Sequence, residues 1–211
     1  MEATRIILVR HGETDWNAAG RLQGHRDRPL NAAGRVQAQR VAVHLAGAPV
    51  RAIYSSDLAR SYETASIIDQ TVRVGIVTSP ALRERCYGIW EGLTPAEIQA
   101  SYPEQFTQWR SGRMDFAPAG GETRTQLLAR SFTELHTIAR RHPGETVVVV
   151  THGGLCSVVL THIVGQGEGD RRAGEPPQVA PTGNASLHTL EIADGRWSVV
   201  SLNETIHLQE G

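Results

Sequence analysis

The chain alternates short apolar runs with longer segments whose apolar residues recur at helical spacing. Arg5–Val9 is compact, apolar and largely β-branched, which predicts a strand buried on both faces. Ala52–Tyr54 and Val74–Val77 read as further strands. Val147–Val150, four consecutive valines, reads as a central strand of a sheet covered on both sides. Between these runs lie the helical patterns. Asn31 suits an N-cap for a helix reaching about Ala46, with apolar positions at Val36, Val41 and Leu45. A second helix is expected from near Asp57, burying Leu58, Tyr62, Ala65 and Ile68. Glu122–Arg141 is strongly amphipathic, with Leu128, Phe132, Leu135 and Ala139 on one face, and a helix from about Leu155 to Val164 follows the valine strand.

The middle of the chain, from about Thr94 to Arg113, is irregularly helical and carries Tyr102, Phe106 and Trp109 at intervals, which suits a lid. Gly165–Pro181 is rich in glycine and proline and is expected to be a loop. Ala185–Ile192 and Trp197–Leu202 flank the turn Ala193-Asp194-Gly195 and predict a closing hairpin at a sheet edge. Its edge strand would be available for pairing in a homodimer. The alternation of strands and helices predicts the α/β class, a mainly parallel sheet with helices on both faces. No internal repeat, low-complexity tract or linker interrupts the 211 residues, so residues 1–211 are expected to form a single domain.

Composition narrows the chemistry. The net charge is −1, which leaves no footprint for a nucleic acid or an anionic membrane surface. No apolar run approaches the roughly 20 residues of a membrane helix, and Ile6–Val9 is too short for a signal-peptide core. A cytoplasmic location is the expectation. Cys86 and Cys156 have neither disulfide-framework nor metal-ligand spacing and read as small buried residues. All 21 basic residues are arginine. The absence of lysine removes Schiff-base chemistry and a P-loop lysine, and leaves arginine, histidine and backbone amides to hold any anion. Arginine suits phosphate because its planar fork binds two oxygens and keeps its charge.

Three predicted strands end alike. The first runs into Arg10-His11-Gly12, the second into Ser55-Ser56-Asp57 with Arg60 one turn on, and the valine strand into Thr151-His152-Gly153-Gly154. Ligands of open α/β sheets bind beyond the carboxyl ends of strands. If these strands are neighbours, two histidines and two arginines converge there. Gly12, Gly153 and Gly154 would allow close backbone approach, with a helix N-terminus near Leu155 adding its positive end. A phosphate site without metal is the expectation. His44, His136, His142 and His162 lie on or beside helices without a paired carboxylate motif.

These residues resemble a known signature. Leu8-Val9-Arg10-His11-Gly12-Glu13-Thr14, followed by Trp16-Asn17, is similar to the opening motif of the histidine phosphatase superfamily, the phosphoglycerate-mutase-like proteins. Arg21–Leu30, Ser55–Ala65, Glu84–Gly92 and Thr151–Gly154 agree with it in order, so the resemblance spans about residues 5 to 160. It implies a three-layer α/β/α sandwich around a mixed sheet. It further implies His11 as the nucleophile that becomes phosphohistidine, Arg10, Arg60 and His152 as the phosphate grip, and Asn17, Gln23, Gly24 and Gly153 as the rest of the cradle. Glu84 would be the proton donor and later the base, with Tyr87 beside the substrate. The plain alternative for Glu84 is an ion pair with Arg83 or Arg85.

The resemblance covers both phosphatases and mutases. Mutases dependent on 2,3-bisphosphoglycerate typically read ERHYG where this chain reads ERCYG, with Cys86 in place of the histidine, and carry a longer insert afterwards. Ile89-Trp90-Glu91-Gly92 and Gly120-Gly121-Glu122-Thr123 are similar to the phosphatase branch, whereas Tyr87 occurs in the mutase branch too. A phosphatase acting on a small-molecule phosphate monoester, needing no cofactor, is the expectation. A mutase using 2,3-bisphosphoglycerate, a phosphatase acting on protein phosphohistidine and a non-catalytic phospho-ligand module are the alternatives. Trp109, Arg110, Arg113 and the Gly165–Pro181 loop are candidate substrate contacts, and Trp16 and Trp90 could line the mouth.

Overall fold

The computed structural model describes residues 3–167 and 182–209. Six strands form one sheet: β1 (Thr4–Arg10), β2 (Val50–Ser55), β3 (Ile76–Thr78), β4 (Thr146–Thr151), β5 (Leu187–Ala193) and β6 (Arg196–Glu204). Their order is β3-β2-β4-β1-β5-β6. The first four in that order are parallel, while β5 runs antiparallel to β1 and β6 antiparallel to β5. The helices are α1 (Asp15–Ala18), α2 (Ala32–His44), α3 (Ala59–Val72), α4 (Pro95–Ser101), α5 (Pro103–Arg110), α6 (Arg124–Arg141) and α7 (Gly153–Gly167).

The alternation of side chains along a strand decides which helices cover which face. Ile6, Leu8, Val147 and Val149 point to one side and pack with Leu127, Leu135 and Ile138 of α6 and Leu155, Val159 and Leu160 of α7. Ile7, Val9, Val148 and Val150 point to the other and meet Val41 and Ala42 of α2 and Ala65 and Ile68 of α3. The result is the expected α/β sandwich of three layers around a mainly parallel, mixed sheet. Both faces of β4 are dry, which is what four successive valines required.

Several local expectations need correction. Val36 and Tyr62 do not reach the core; each is 48% exposed, on the outer side of its helix. On α6 the buried positions are Leu127, Ser131, Leu135, Ile138 and Ala139. Leu128 and Phe132 are only partly buried, so the inward stripe is rotated by one residue from the apolar pattern. The irregular middle is two short helices broken at Tyr102-Pro103. Thr94 caps the first of them in a capping box with Glu97, and Pro103 opens the second, where its missing N–H is harmless. Trp90, Ile98 and Phe116 form a small separate core there, with Tyr87, Tyr102 and Trp109 packed against it. Trp90 is therefore a core residue and not part of the mouth. Trp16 lies against Gly92 under the guanidinium of Arg28. Helix α7 runs on through Gly165 to Gly167, and the rest of the expected Gly165–Pro181 loop lies outside the described residues.

One close backbone approach fixes how α2 meets the end of β1. A Cβ on Gly34, inside α2, would stand 2.1 Å from the carbonyl oxygen of Glu13, and one on Gly12 would stand 2.4 Å from that of Gly34. Alanine normally favours a helix over glycine by about 1 kcal/mol. Here the new methyl meets backbone that cannot swing aside. Gly34→Ala is expected to lose about 1–3 kcal/mol net, read as a lower urea midpoint. An unchanged or higher midpoint would show that the two segments are free to part.

Candidate active site

The register of the central strands aligns their carboxyl ends. Arg10 of β1 stands opposite Thr151 of β4, and Ser55 of β2 opposite Val150 of β4. The chains leave the sheet together: the His11 N–H donates to the Thr151 carbonyl (2.9 Å) and the Ser56 N–H to that of Val150 (3.0 Å). Because β5 is antiparallel, its amino end lies at this same edge and brings Thr182 and Asn184 to it.

The ring of His11 is buried, and its Nδ1 lies 2.7 Å from the Gly12 carbonyl oxygen. A carbonyl only accepts, so Nδ1 carries the proton and Nε2 keeps its lone pair. Burial, then the charges of Arg60 and Arg10, hold the imidazole pKa well below its usual value, which keeps the ring neutral. The ring of His152 packs edge-on to it, with centroids 5.1 Å apart.

Two guanidiniums face this pair. Arg60 is fully buried at the start of α3 and donates from Nε to Nδ1 of His152 (3.2 Å), from Nη1 to the Arg26 carbonyl (3.1 Å) and from Nη2 to that of Gly24 (2.8 Å). Burial pulls its pKa down to about 10. Arg10 donates from Nη1 to the Thr182 carbonyl, while its buried Nε has no partner among the described residues. With Nδ1 of His152 accepting from Arg60, Nε2 is the protonated nitrogen and faces Ser61 Oγ at 3.2 Å. His152 is likewise held neutral, by burial first and then by Arg60.

A cavity of about 280 Å³ opens at this point, lined by Arg10, His11, Arg60 and Glu84 and rimmed by Asn17, Gln23, Gly24, Tyr87 and Gly153. Nine of the ten expected residues thus converge. His152 is the exception, because it lies fully buried behind Arg60 and does not line the cavity. Asn17 Oδ1 is used by Thr14 N–H (3.1 Å) and by Asn184 Nδ2 (3.2 Å), so its own amide hydrogens are left for the cavity. The Gln23 side chain is buried, and its Oε1 has no partner among the described residues. Gly12 plays a different part from the expected one: its N–H donates to Thr64 Oγ1 (3.1 Å), and its missing side chain admits α2.

Glu84 arrives from a segment laid across the sheet edge. The Ser79 N–H donates to the Ser55 carbonyl (2.9 Å), and Thr151 Oγ1 donates to the Leu82 carbonyl (2.8 Å). The Glu84 carboxylate accepts from the backbone N–H of Arg85 (2.8 Å) and of Gly154 (2.9 Å), at the first turn of α7. It pairs with neither neighbouring arginine. Arg83 is bidentate to Asp57, and Arg85 donates to the Glu122 and Phe116 carbonyls. Glycine at 154 leaves room for the Glu84 carboxylate: a Cβ there would stand 2.4 Å from Glu84 Oε1 and displace it.

Three supporting residues escaped the sequence reading. Arg130 pairs with Glu122 and donates to the carbonyls of Ala81, Arg83 and Glu84, each at 2.8 Å, so it fixes the backbone that presents Glu84. Glu91, a nearly buried carboxylate, accepts from the His25 and Tyr87 backbone and so ties two rim loops together. Asn184 bridges the His11 carbonyl and Asn17. A sequence signal existed for Asn184, in Thr182-Gly183-Asn184 ahead of a strand, but it pointed here only once β5 was known to be antiparallel. Of the candidate substrate contacts, Arg110 is exposed and Arg113 is an exposed partner of Asp115. Trp109 lines a second cavity next door.

Among the described residues no group of three or more His, Cys, Asp or Glu is placed to hold a metal ion. No described helix is long and apolar enough to cross a membrane.

Comparisons with known proteins agree with this geometry. The chain is 38% identical to a metal-independent phosphoserine phosphatase of Arabidopsis thaliana, over 98% of this chain and 84% of that one. It is 37% identical to phosphoglycerate mutase-like protein 4 of the same plant, over 100% and 89%. A solved structure of mycobacterial glucosyl-3-phosphoglycerate phosphatase in complex with VO3 superposes with a TM-score of 0.84 at 32% identity, covering 95% of this chain and 99% of that one. The model of the histidine phosphatase superfamily (branch 1) matches residues 6–205, and the chain belongs to that superfamily.

Proposed function

We propose that this chain is a phosphatase of the histidine acid type, hydrolysing small-molecule phosphate monoesters through a phosphohistidine on His11, within one domain spanning residues 1–211. The observation that carries the reading is the charge of the cavity. The fully buried guanidinium of Arg60 and the part-buried one of Arg10 share it with one carboxylate, Glu84, and with the ring of His11, held neutral. Such an excess of buried positive charge is costly until a dianion neutralises it.

The chemistry follows from the groups present. The lone pair on Nε2 of His11 attacks phosphorus and the ester P–O bond breaks, while Arg10 and Arg60 hold the equatorial oxygens where charge spreads. The leaving alkoxide takes the proton of the Glu84 carboxyl. Glu84 then removes a proton from water, the hydroxide attacks phosphorus, the P–N bond breaks, and inorganic phosphate leaves. His152 acts by fixing the Arg60 guanidinium from behind. No step calls for a metal or an organic cofactor.

Transfer to water, as opposed to isomerisation, is supported by the phosphatase names of the relatives and by the compact middle segment with Cys86 in the ERCYG block. A cytoplasmic setting suits two free thiols, Cys86 and Cys156. A homodimer would use β6, whose outer edge pairs with no strand among the described residues and whose Val200 and Leu202 are exposed.

Purified protein is expected to release phosphate from p-nitrophenyl phosphate with or without a chelator, and His11→Ala to release none. Interconversion of 3- and 2-phosphoglycerate that depends on 2,3-bisphosphoglycerate would instead make the chain a mutase, and tight phosphate binding without turnover a binding module. Glu84→Gln should slow alkyl phosphates by about 100-fold or more, while with p-nitrophenyl phosphate it should give a burst of nitrophenolate and then stall at the phosphoenzyme. Equal slowing of both first steps would remove Glu84 as the acid. The depressed histidines also set a pH dependence. As pH falls below about 6.5 the unfolded chain binds protons that His11 and His152 in the folded site refuse, so stability must fall with them. The thermal midpoint is expected to drop between pH 7 and pH 5, and to drop less in millimolar phosphate; a flat midpoint would mean these rings are not held neutral.

A further inference from the structure

The second cavity, of about 410 Å³, adjoins the phosphate cavity and shares Tyr87, Gly154 and Ser157 with it. Its size falls in the range of small-ligand pockets, roughly 300–1,000 Å³. We propose that it receives the alcohol half of the substrate, and that Arg124 there anchors a second anionic group carried by that alcohol. The inference rests on the phosphatase reading and adds the class of ester: a bulky, partly apolar alcohol bearing a carboxylate or similar anion.

Three observations point this way. The wall is largely apolar, built from Trp109, Met114, Leu127, Leu128 and Val158. This gives a use to the part-buried Leu128, which lies off the inward stripe of α6 and faces this space. Opposite it, α7 presents Ser157 and Thr161, two hydroxyls one helical turn apart, suited to a polar edge of the same group.

The charges of the lining are all of one sign. Arg85 and Arg124 are both there, and no carboxylate lines the cavity among the described residues. Arg85 is committed to two backbone carbonyls and is buried. Arg124, the first residue of α6, is half-buried and makes no hydrogen bond or ion pair among the described residues. A guanidinium in an apolar wall with its donors unused matches a carboxylate better than any neutral group, because a charge-assisted, two-pronged bond replaces the water it gives up. His162 adds no competing anion; its Nε2 accepts from Gln166 (2.7 Å). Arg110 and Arg113, the other arginines named as candidate substrate contacts, do not line this cavity: Arg110 is exposed and Arg113 pairs with Asp115.

The test compares phenyl phosphate with 3- and 4-carboxyphenyl phosphate, which differ only in the added anion, on the wild type and on Arg124→Met. Methionine keeps the length and the helix start but removes the charge. The wild type is expected to favour at least one carboxylated ester by ~10- to 100-fold in kcat/KM, and Arg124→Met to abolish that preference while leaving phenyl phosphate turnover unchanged. The same preference should appear as tighter binding in calorimetry on His11→Ala, where no turnover occurs. No preference for either ester in the wild type, or a preference that survives in Arg124→Met, would overturn the anchor. If phenyl phosphate is not hydrolysed at all, the phosphatase reading fails, and the calorimetric comparison still decides the role of Arg124.

Discussion

The structure depends most on the burial of Arg60. A guanidinium with no solvent exposure is stable only if its donors are met, and three of them are, by Nδ1 of His152 and by the carbonyls of Gly24 and Arg26. Those three bonds join α3, the turn after β4 and the rim loop around residue 25. They settle the tautomer of His152 as well, since a ring nitrogen that accepts from arginine cannot hold a proton. The remaining donors of Arg60 and the unpartnered Nε of Arg10 are the charge on which the proposed grip of an oxyanion rests.

Around that charge the protein builds rigidity from backbone amides and carbonyls. His11 is oriented by the Gly12 carbonyl, and Glu84 by two N–H groups. Arg130 and His25 grip the carbonyl of Glu84 from outside. Main-chain partners cannot rotate away, so the side chains of His11 and Glu84 are held in one orientation. The glycines at 12, 34 and 154 are the steric condition for this, because each lets a backbone or carboxylate come closer than a Cβ would allow. The second cavity is built differently, from side chains of the aromatic cluster and of α6 and α7.

The strands and the parallel core were legible because their signals are local and repetitive. A run of four valines admits few environments, and Asn31 announced its helix as a cap and proved to be one. Which apolar residues face inward was less legible. Val36, Tyr62 and Leu128 all have helical spacing, yet the first two meet solvent and the third meets a cavity. Spacing gives the direction of a stripe only to within about one residue, and the packing partner decides the rest.

By itself the sequence determined the class of sheet, the strand ends where chemistry gathers, and the family signature in Arg10-His11-Gly12, Glu84 and Thr151-His152-Gly153-Gly154. A motif fixes residue types and their spacing along the chain, and those were enough for the family. Only the tertiary structure decided that Asn184 enters ahead of an antiparallel strand, that Arg130 and Glu91 tie the loops around the cavity, that His152 stands behind Arg60, and that Arg124 lines the second cavity. Each of these depends on contacts between residues far apart in the chain. Such contacts leave no period and no motif behind, because they are fixed by how layers dock and not by neighbours in sequence.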